Sequence, residues 1–105
     1  MQNQEQTALA ETRDKVMEAL RQVYDPEIGM NVIELGLIRN VQVSASRVHI
    51  DMILTTPFCP YAPAMLQEVR DTADIAAGIP TTVELGAEMW DPSMMEDGAD
   101  DWGLF

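Results

Sequence analysis

Residues 47–66 read RVHIDMILTTPFCPYAPAML, and within them an alternating pattern of apolar residues gives way to a helical one. The alternation places one apolar set on a single face: Val48, Ile50, Met52 and Leu54. A period of two is typical of a half-buried strand. The helical spacing begins after Pro60, so we predict a strand followed directly by a helix, with Cys59 at the junction. Pro63 falls within or just before the first turn, which allows a start a few residues later than Pro60.

Cys59 is the only cysteine of the sequence, and its position allows two interpretations. Pro60 can occupy the first position of a helix, where its missing N–H costs nothing, and this would put Cys59 near the N-cap. Unpaired N–H groups and the helix dipole favour a thiolate there, so we expect the thiol pKa to lie below its ordinary value of about 8.5. The alternative is a small, packed and inert hydrophobic residue.

The rest of the chain adds one helix and two strands. An amphipathic helix is predicted over residues 7–24, and a strand over 37–45 forms an antiparallel hairpin with the strand over 47–55. The second helix is predicted to end at Gly78, which suits a C-terminal cap. A third strand over 82–89 would lie parallel to the second strand, because a helix connects the two.

This order of helix, strand, strand, helix and strand predicts an α+β fold. We expect a two-layer α/β sandwich in which two helices cover one face of a small mixed sheet. The third strand is predicted to face the core with Val83, Leu85, Ala87 and Met89. Length and composition predict one folded domain over residues 7–90, a disordered N-terminus over 1–6, and an acidic C-terminal tail over 91–105 that is partly packed on the domain.

Charge and composition exclude several classes of partner and of metal site. The formal net charge is -12, and all six basic residues precede residue 71. Nucleic acids and anionic membranes require a basic face, so neither is expected as a partner. The sequence shows neither a signal peptide nor a membrane-spanning run, so we expect a cytoplasmic protein. One cysteine excludes an internal disulfide and a metal site built from several thiolates of one chain.

The remaining candidate residues each allow a plain structural explanation. His49 lies on the polar face of its strand and is expected to be solvated rather than to serve as the base of a thiol enzyme. Asp25, Glu27 and Glu34 flank the first loop and could bind a cation through oxygen ligands. Turn formation and helix capping account for the same acidic residues without a cation.

Four segments of the sequence resemble the signature blocks of a known family. They read DPEIG at 25–29, IELGLI at 33–38, LTTPFCP at 54–60 and WDP at 90–92. In this order they resemble the small iron–sulfur assembly factors typified by SufT, which include the eukaryotic cytosolic cluster-targeting factors and the phenylacetate-pathway protein PaaD. The motif residues are Asp25, Pro26, Glu27, Gly36, Thr55, Thr56, Cys59, Pro60, Trp90 and Pro92.

The resemblance implies a fold and a function. The fold would be that of the NifU C-terminal-like iron–sulfur assembly domain, and Cys59 would be the functional, cluster-binding thiol. The protein would be a non-enzymatic factor that assists maturation of cytoplasmic iron–sulfur proteins, with the assembly machinery and client apo-proteins as its partners. The alternative is a PaaD-like structural adaptor of a multicomponent oxygenase that does not handle clusters. Glu34 and the acidic tail depart from the usual pattern of the family, which leaves the client unspecified.

A single cysteine also limits how a cluster would be held. Common iron–sulfur clusters have four protein ligands, most often thiolates. Two chains meeting about a two-fold axis would supply two thiolates, and Glu27, Glu34, a small thiol or the recipient would complete the set. We therefore predict a homodimer in which any bound iron–sulfur cluster is transient.

Overall fold

Two helices and three strands follow one another in the predicted order. The computed structural model describes residues 2–56 and 60–96. Its elements are α1 (Gln2–Leu20), β1 (Ile38–Val43), β2 (Val48–Met52), α2 (Ala62–Ala77), β3 (Thr81–Leu85) and a short 3₁₀ turn at Pro92–Met94. The predicted α+β architecture is confirmed.

The sheet is mixed and has β2 at its centre. β1 and β2 are antiparallel, whereas β2 and β3 are parallel, and Ile50 pairs with Val41 on one side and Val83 on the other. The hairpin turn is closed by Ser44, whose N–H donates to the Arg47 carbonyl over 2.9 Å. The predicted hairpin and the parallel crossover through α2 are therefore both confirmed.

The core lies between the sheet and the two helices. β2 contributes the fully buried Val48, Ile50 and Met52, as its alternation predicts. From the helices, the core receives Val16 and Leu20 of α1 and Met65, Val69 and Ala73 of α2. Within the described part of the chain, no helix has the length and apolar character that crossing a membrane requires.

Helix boundaries differ from the prediction at both ends of α1. The helix begins at Gln2 rather than near Thr7, so it includes most of the residues assigned above to a disordered terminus. Glutamine, glutamate and alanine have high helix propensities, and residues 2–20 contain neither proline nor glycine to stop the helix. The division of the chain at residues 6 and 90 stays a prediction.

The third strand is shorter than predicted. It ends at Leu85 instead of Met89, because its partner β2 ends at Met52 and the parallel ladder has no further neighbour. The Gly86 N–H makes a last hydrogen bond to the Met52 carbonyl. The expected inward face is wrong from Leu85 onwards: Leu85, Ala87 and Met89 are all exposed, Met89 to 77%.

Candidate functional site

The first signature block forms a tight turn around a buried carboxylate. The Asp25 side chain is 1% exposed, and its Oδ1 accepts a hydrogen bond of 2.8 Å from the Glu27 N–H. The Asp25 carbonyl accepts from the Gly29 N–H, and the turn closes with Gly29 at a φ of 81°. Glycine adopts this left-handed conformation without the steric cost of a Cβ atom. The acidic residue that the sequence assigns to turn formation is thus also a core residue.

Asp25 joins the first block to the block that contains Cys59. Its Oδ2 accepts a hydrogen bond of 3.3 Å from the Thr55 hydroxyl, so both carboxylate oxygens have partners. A buried carboxylate requires such partners, since its desolvation is otherwise costly. Because Thr55 precedes Cys59 by only four residues, this contact fixes the start of the segment that carries the thiol.

The second block is a turn organised by Asn31, a residue that the sequence analysis did not identify. Asn31 Oδ1 accepts hydrogen bonds from the N–H groups of Ile33, over 3.0 Å, and Glu34, over 2.8 Å. In return, Glu34 Oε1 accepts from the Asn31 N–H over 3.3 Å. This reciprocal pair has the form of a capping box. The spacing of Asn31 and Glu34, three residues apart, is the sequence pattern that could have predicted this capping box.

The C-terminal segment, defined here as residues 90–96, packs on that turn. The Trp90 indole N–H donates to the Leu35 carbonyl over 2.7 Å, and the Glu96 N–H donates to the Glu34 carbonyl over 2.9 Å. Gly36 has a φ of 75°, and a Cβ atom there would lie 2.0 Å from the Met94 carbonyl oxygen. The signature residues Gly36 and Trp90 therefore serve one contact between two distant parts of the chain.

An ion pair secures the far end of the C-terminal segment. The Arg21 guanidinium donates two parallel hydrogen bonds to the Glu96 carboxylate, one of them 3.0 Å long. These hydrogen bonds hold the pKa of Glu96 below its ordinary value and raise the pKa of Arg21. Both side chains are about one-third exposed, so solvent screens the pair.

We expect Glu96→Gln to destabilise the protein by under about 1 kcal/mol at pH 7, as for other exposed ion pairs. In the unfolded chain Glu96 titrates near its ordinary value of 4.5, whereas in the folded chain its pKa is lower. The folded state therefore binds fewer protons in this range, and the stabilisation is lost as the pH falls from 4.5 through the folded-state pKa. Urea unfolding between pH 7 and pH 3 measures the difference from wild type.

The matched control is Glu18→Gln, which removes a second carboxylate near Arg21. Glu18 lies 3.6 Å from the guanidinium but is 82% exposed, so its loss should change stability less than the loss of Glu96. A difference between Glu96→Gln and wild type that does not shrink below pH 4.5 would contradict the assignment.

Cys59 lies outside the described residues, together with Pro57 and Phe58. The helix that follows begins at Ala62, with Tyr61 as its N-cap and Pro63 in its first turn. The helix therefore begins two residues after Pro60, the later start that Pro63 allows, and Pro63 rather than Pro60 lies in the tolerated first turn. The lowered pKa of the Cys59 thiol stays a prediction.

A shallow apolar groove of about 290 Å³ opens beside Thr55. Leu54 and Trp90 contribute to its lining, and so do the exposed side chains of Leu85 and Met89. These two apolar residues therefore border a groove rather than pack into the core. It gives the segment that leads to Cys59 an apolar border.

The structure brings some of the predicted site residues together. Asp25 and Thr55 are in contact, and Glu27 joins them through its backbone N–H while its side chain is exposed. Glu34 belongs to the adjacent turn. Among the described residues, neither Glu27 nor Glu34 belongs to a group of three side chains that could hold a metal ion. A ligand set that combines either of them with Cys59 stays a prediction.

Comparisons with known proteins identify relatives that match most of this chain. A protein from Porphyromonas gingivalis named Fe-S protein maturation auxiliary factor is 39% identical over 92 residues, which cover 85% of this chain and 88% of that protein. The Fe-S protein maturation auxiliary factor YitW of Bacillus subtilis is 36% identical over 87 residues, covering 81% and 82%.

A solved structure matches the fold of this chain at lower sequence identity. A crystal structure of a domain of unknown function from Bacillus anthracis matches with a TM-score of 0.82 at 22% identity, over 90% of this chain and 93% of that one. At this identity the match shows the fold alone. The sequence profile of a family described as iron-sulfur cluster assembly protein matches residues 13–85. The chain therefore belongs to the iron–sulfur cluster assembly protein family.

Proposed function

We propose that this protein is a non-enzymatic factor for the maturation of iron–sulfur proteins and that it acts through Cys59. Two relatives of similar length are named as maturation auxiliary factors, at 39% and 36% identity. The lack of an enzymatic role is part of the proposal. His49, the only histidine of the sequence, has its ring nitrogens directed at Thr82 and Asp51 rather than left free as a general base.

The observation that carries the proposal is the contact between Asp25 and Thr55. It joins two signature blocks that are 30 residues apart and holds the chain just before Cys59. An adaptor that only bridges other subunits has no need for a buried carboxylate that holds Thr55, four residues before the thiol. A factor that presents a thiol to iron or to a cluster benefits from a fixed anchor, because metal ligands are held in place by their outer-shell partners.

An iron–sulfur cluster would be the cargo of this factor. One chain offers one thiolate, so a cluster held by Cys59 requires further ligands from a second copy, from a small thiol, from Glu27 or Glu34, or from the recipient protein. Such a cluster has labile ligands and is suited to transfer. The proposal therefore includes a homodimer, transient cluster binding, and contact with the assembly machinery and with client apo-proteins in the cytoplasm.

The test is complementation of a strain that lacks the gene. We expect enzymes that depend on iron–sulfur clusters to lose activity, whereas enzymes without clusters keep theirs. The wild-type gene should restore the lost activity, and Cys59→Ser should not. Asp71→Asn, which changes an exposed residue of α2, is the matched control and should restore it fully.

Two results would contradict the proposal. Equal loss of activity in both groups of enzymes would show a general defect rather than one of cluster maturation. Full complementation by Cys59→Ser would favour the structural adaptor instead. Anaerobic purification of the same variants, with iron and sulfide counted per chain, supplies a readout that does not depend on cellular phenotype.

A further inference from the structure

Three potential metal ligands converge on the outer face of the sheet. His49 and Asp51 are two residues apart on β2 and so point to the same side, and Glu84 lies beside Asp51 on the parallel strand β3. His49 Nε2 is 3.1 Å from Asp51 Oδ1 and 3.7 Å from Glu84 Oε1. The three ligand atoms all lie within 4.8 Å of one another.

The other nitrogen of the ring is held by a neighbour. His49 Nδ1 is 2.7 Å from the Thr82 hydroxyl, which lies directly opposite on β3. A hydroxyl can accept a hydrogen bond from Nδ1–H or donate one to a bare Nδ1. Thr82 can therefore hold the imidazole in the same orientation whether Nε2 carries a proton or coordinates a metal ion. A partner on the second nitrogen is the usual outer-shell feature of metal-binding histidines.

The geometry at this point requires either a proton or a metal ion on Nε2. Carboxylate oxygens only accept hydrogen bonds, so a bare Nε2 would direct its lone pair at two other acceptors. Either a proton on Nε2 or a positive ion must lie between the three groups. A divalent ion would balance the two carboxylates, and side-chain exposures of 31%, 36% and 70% for His49, Asp51 and Glu84 leave it a path from solvent.

We propose that His49 Nε2, Asp51 and Glu84 bind a divalent first-row transition-metal ion, with Thr82 as the positioning residue. One imidazole with two carboxylates suits Zn²⁺ or Fe²⁺ better than Ca²⁺ or Mg²⁺, which prefer ligand sets made only of oxygen. Three protein ligands leave the remaining coordination positions open to water or to another donor. The site is built entirely from described residues and does not depend on the function proposed for Cys59.

The test is Zn²⁺ titration by calorimetry and Co²⁺ titration by visible absorption, carried out on the full chain. Both use Cys59→Ser protein, so that the thiol cannot supply a ligand. We expect one ion to bind per chain. The affinity should fall by more than about a hundredfold in His49→Gln and by about tenfold in Thr82→Val, within the range for an outer-shell partner.

A matched pair of acidic variants separates coordination from general charge attraction. Glu84→Gln and Glu68→Gln each remove one exposed carboxylate, but only Glu84 faces His49. We expect Glu84→Gln to weaken Zn²⁺ binding and Glu68→Gln to leave it unchanged, with circular dichroism confirming that each variant is folded. The proposal is overturned if Zn²⁺ does not bind, or if it binds His49→Gln as tightly as the parent.

Discussion

Gly36→Ala is expected to lower the free energy of unfolding by about 3 kcal/mol, the sum of a backbone and a steric cost. The backbone cost arises because alanine would have to adopt a φ of 75°. The steric cost arises because the new methyl group would lie 2.0 Å from the Met94 carbonyl oxygen, and backbone cannot rotate away as a side chain can. Urea unfolding followed by far-UV circular dichroism measures the change.

Gly78→Ala is the matched control for this substitution. Gly78 has nearly the same backbone conformation, with a φ of 72°, but a Cβ atom there would meet nothing within 4 Å. We expect its replacement to cost about 1 kcal/mol, the backbone cost alone. Equal losses in the two variants would show that close packing of the C-terminal segment on Gly36 contributes nothing to stability.

Asp25→Ala is the second change with a large expected effect, about 3 kcal/mol of stability together with the loss of complementation. The substitution removes the buried carboxylate and leaves the part-buried N–H of Glu27 and hydroxyl of Thr55 without their acceptor. Hydrogen bonds to a charged group contribute about 1.5–3 kcal/mol each, more than those between neutral groups, so the loss of two of them is a large change. Chemical unfolding measures the first effect, and the complementation assay measures the second.

Two further variants sharpen this experiment. Asp25→Asn keeps an oxygen for the Glu27 N–H but loses the second acceptor, which holds Thr55, so we expect an intermediate stability. Asp71→Ala removes an exposed carboxylate of α2 and should change stability by less than about 0.5 kcal/mol. If Asp25→Ala proved as stable as Asp71→Ala, the buried carboxylate would have no structural role.

The architecture was predictable because polarity follows secondary structure over most of the chain. The alternation through Val48, Ile50 and Met52 identifies the central strand, and these residues are the buried ones. The alternation from Val83 to Met89 misleads, because a pattern of polarity does not reveal where the neighbouring strand ends. The extent of a strand depends on its partner, and the partner of β3 ends at Met52.

The site was predictable only in part. The signature blocks identify Asp25, Thr55, Gly36 and Trp90. No local pattern shows that Asp25 and Thr55 meet in a part-buried hydrogen bond, that Gly36 packs against Met94, or that Trp90 donates to the Leu35 carbonyl. The cluster around His49 was missed for the same reason. Glu84 follows His49 by 35 residues, and only the parallel register of β2 and β3 places the two side by side.

The contacts of the C-terminal segment also determine the order in which the fold can be completed. They join residues that are 55 to 75 positions apart, whereas the β1–β2 hairpin joins near neighbours. Non-local contacts close large loops of chain and form late, and synthesis proceeds from the N-terminus. On the ribosome, the turn at Leu35 and Gly36 must wait for residues 90–96, which are translated more than 50 positions later. A nascent chain therefore carries this turn uncovered until residues 90–96 have been synthesised and can pack on it.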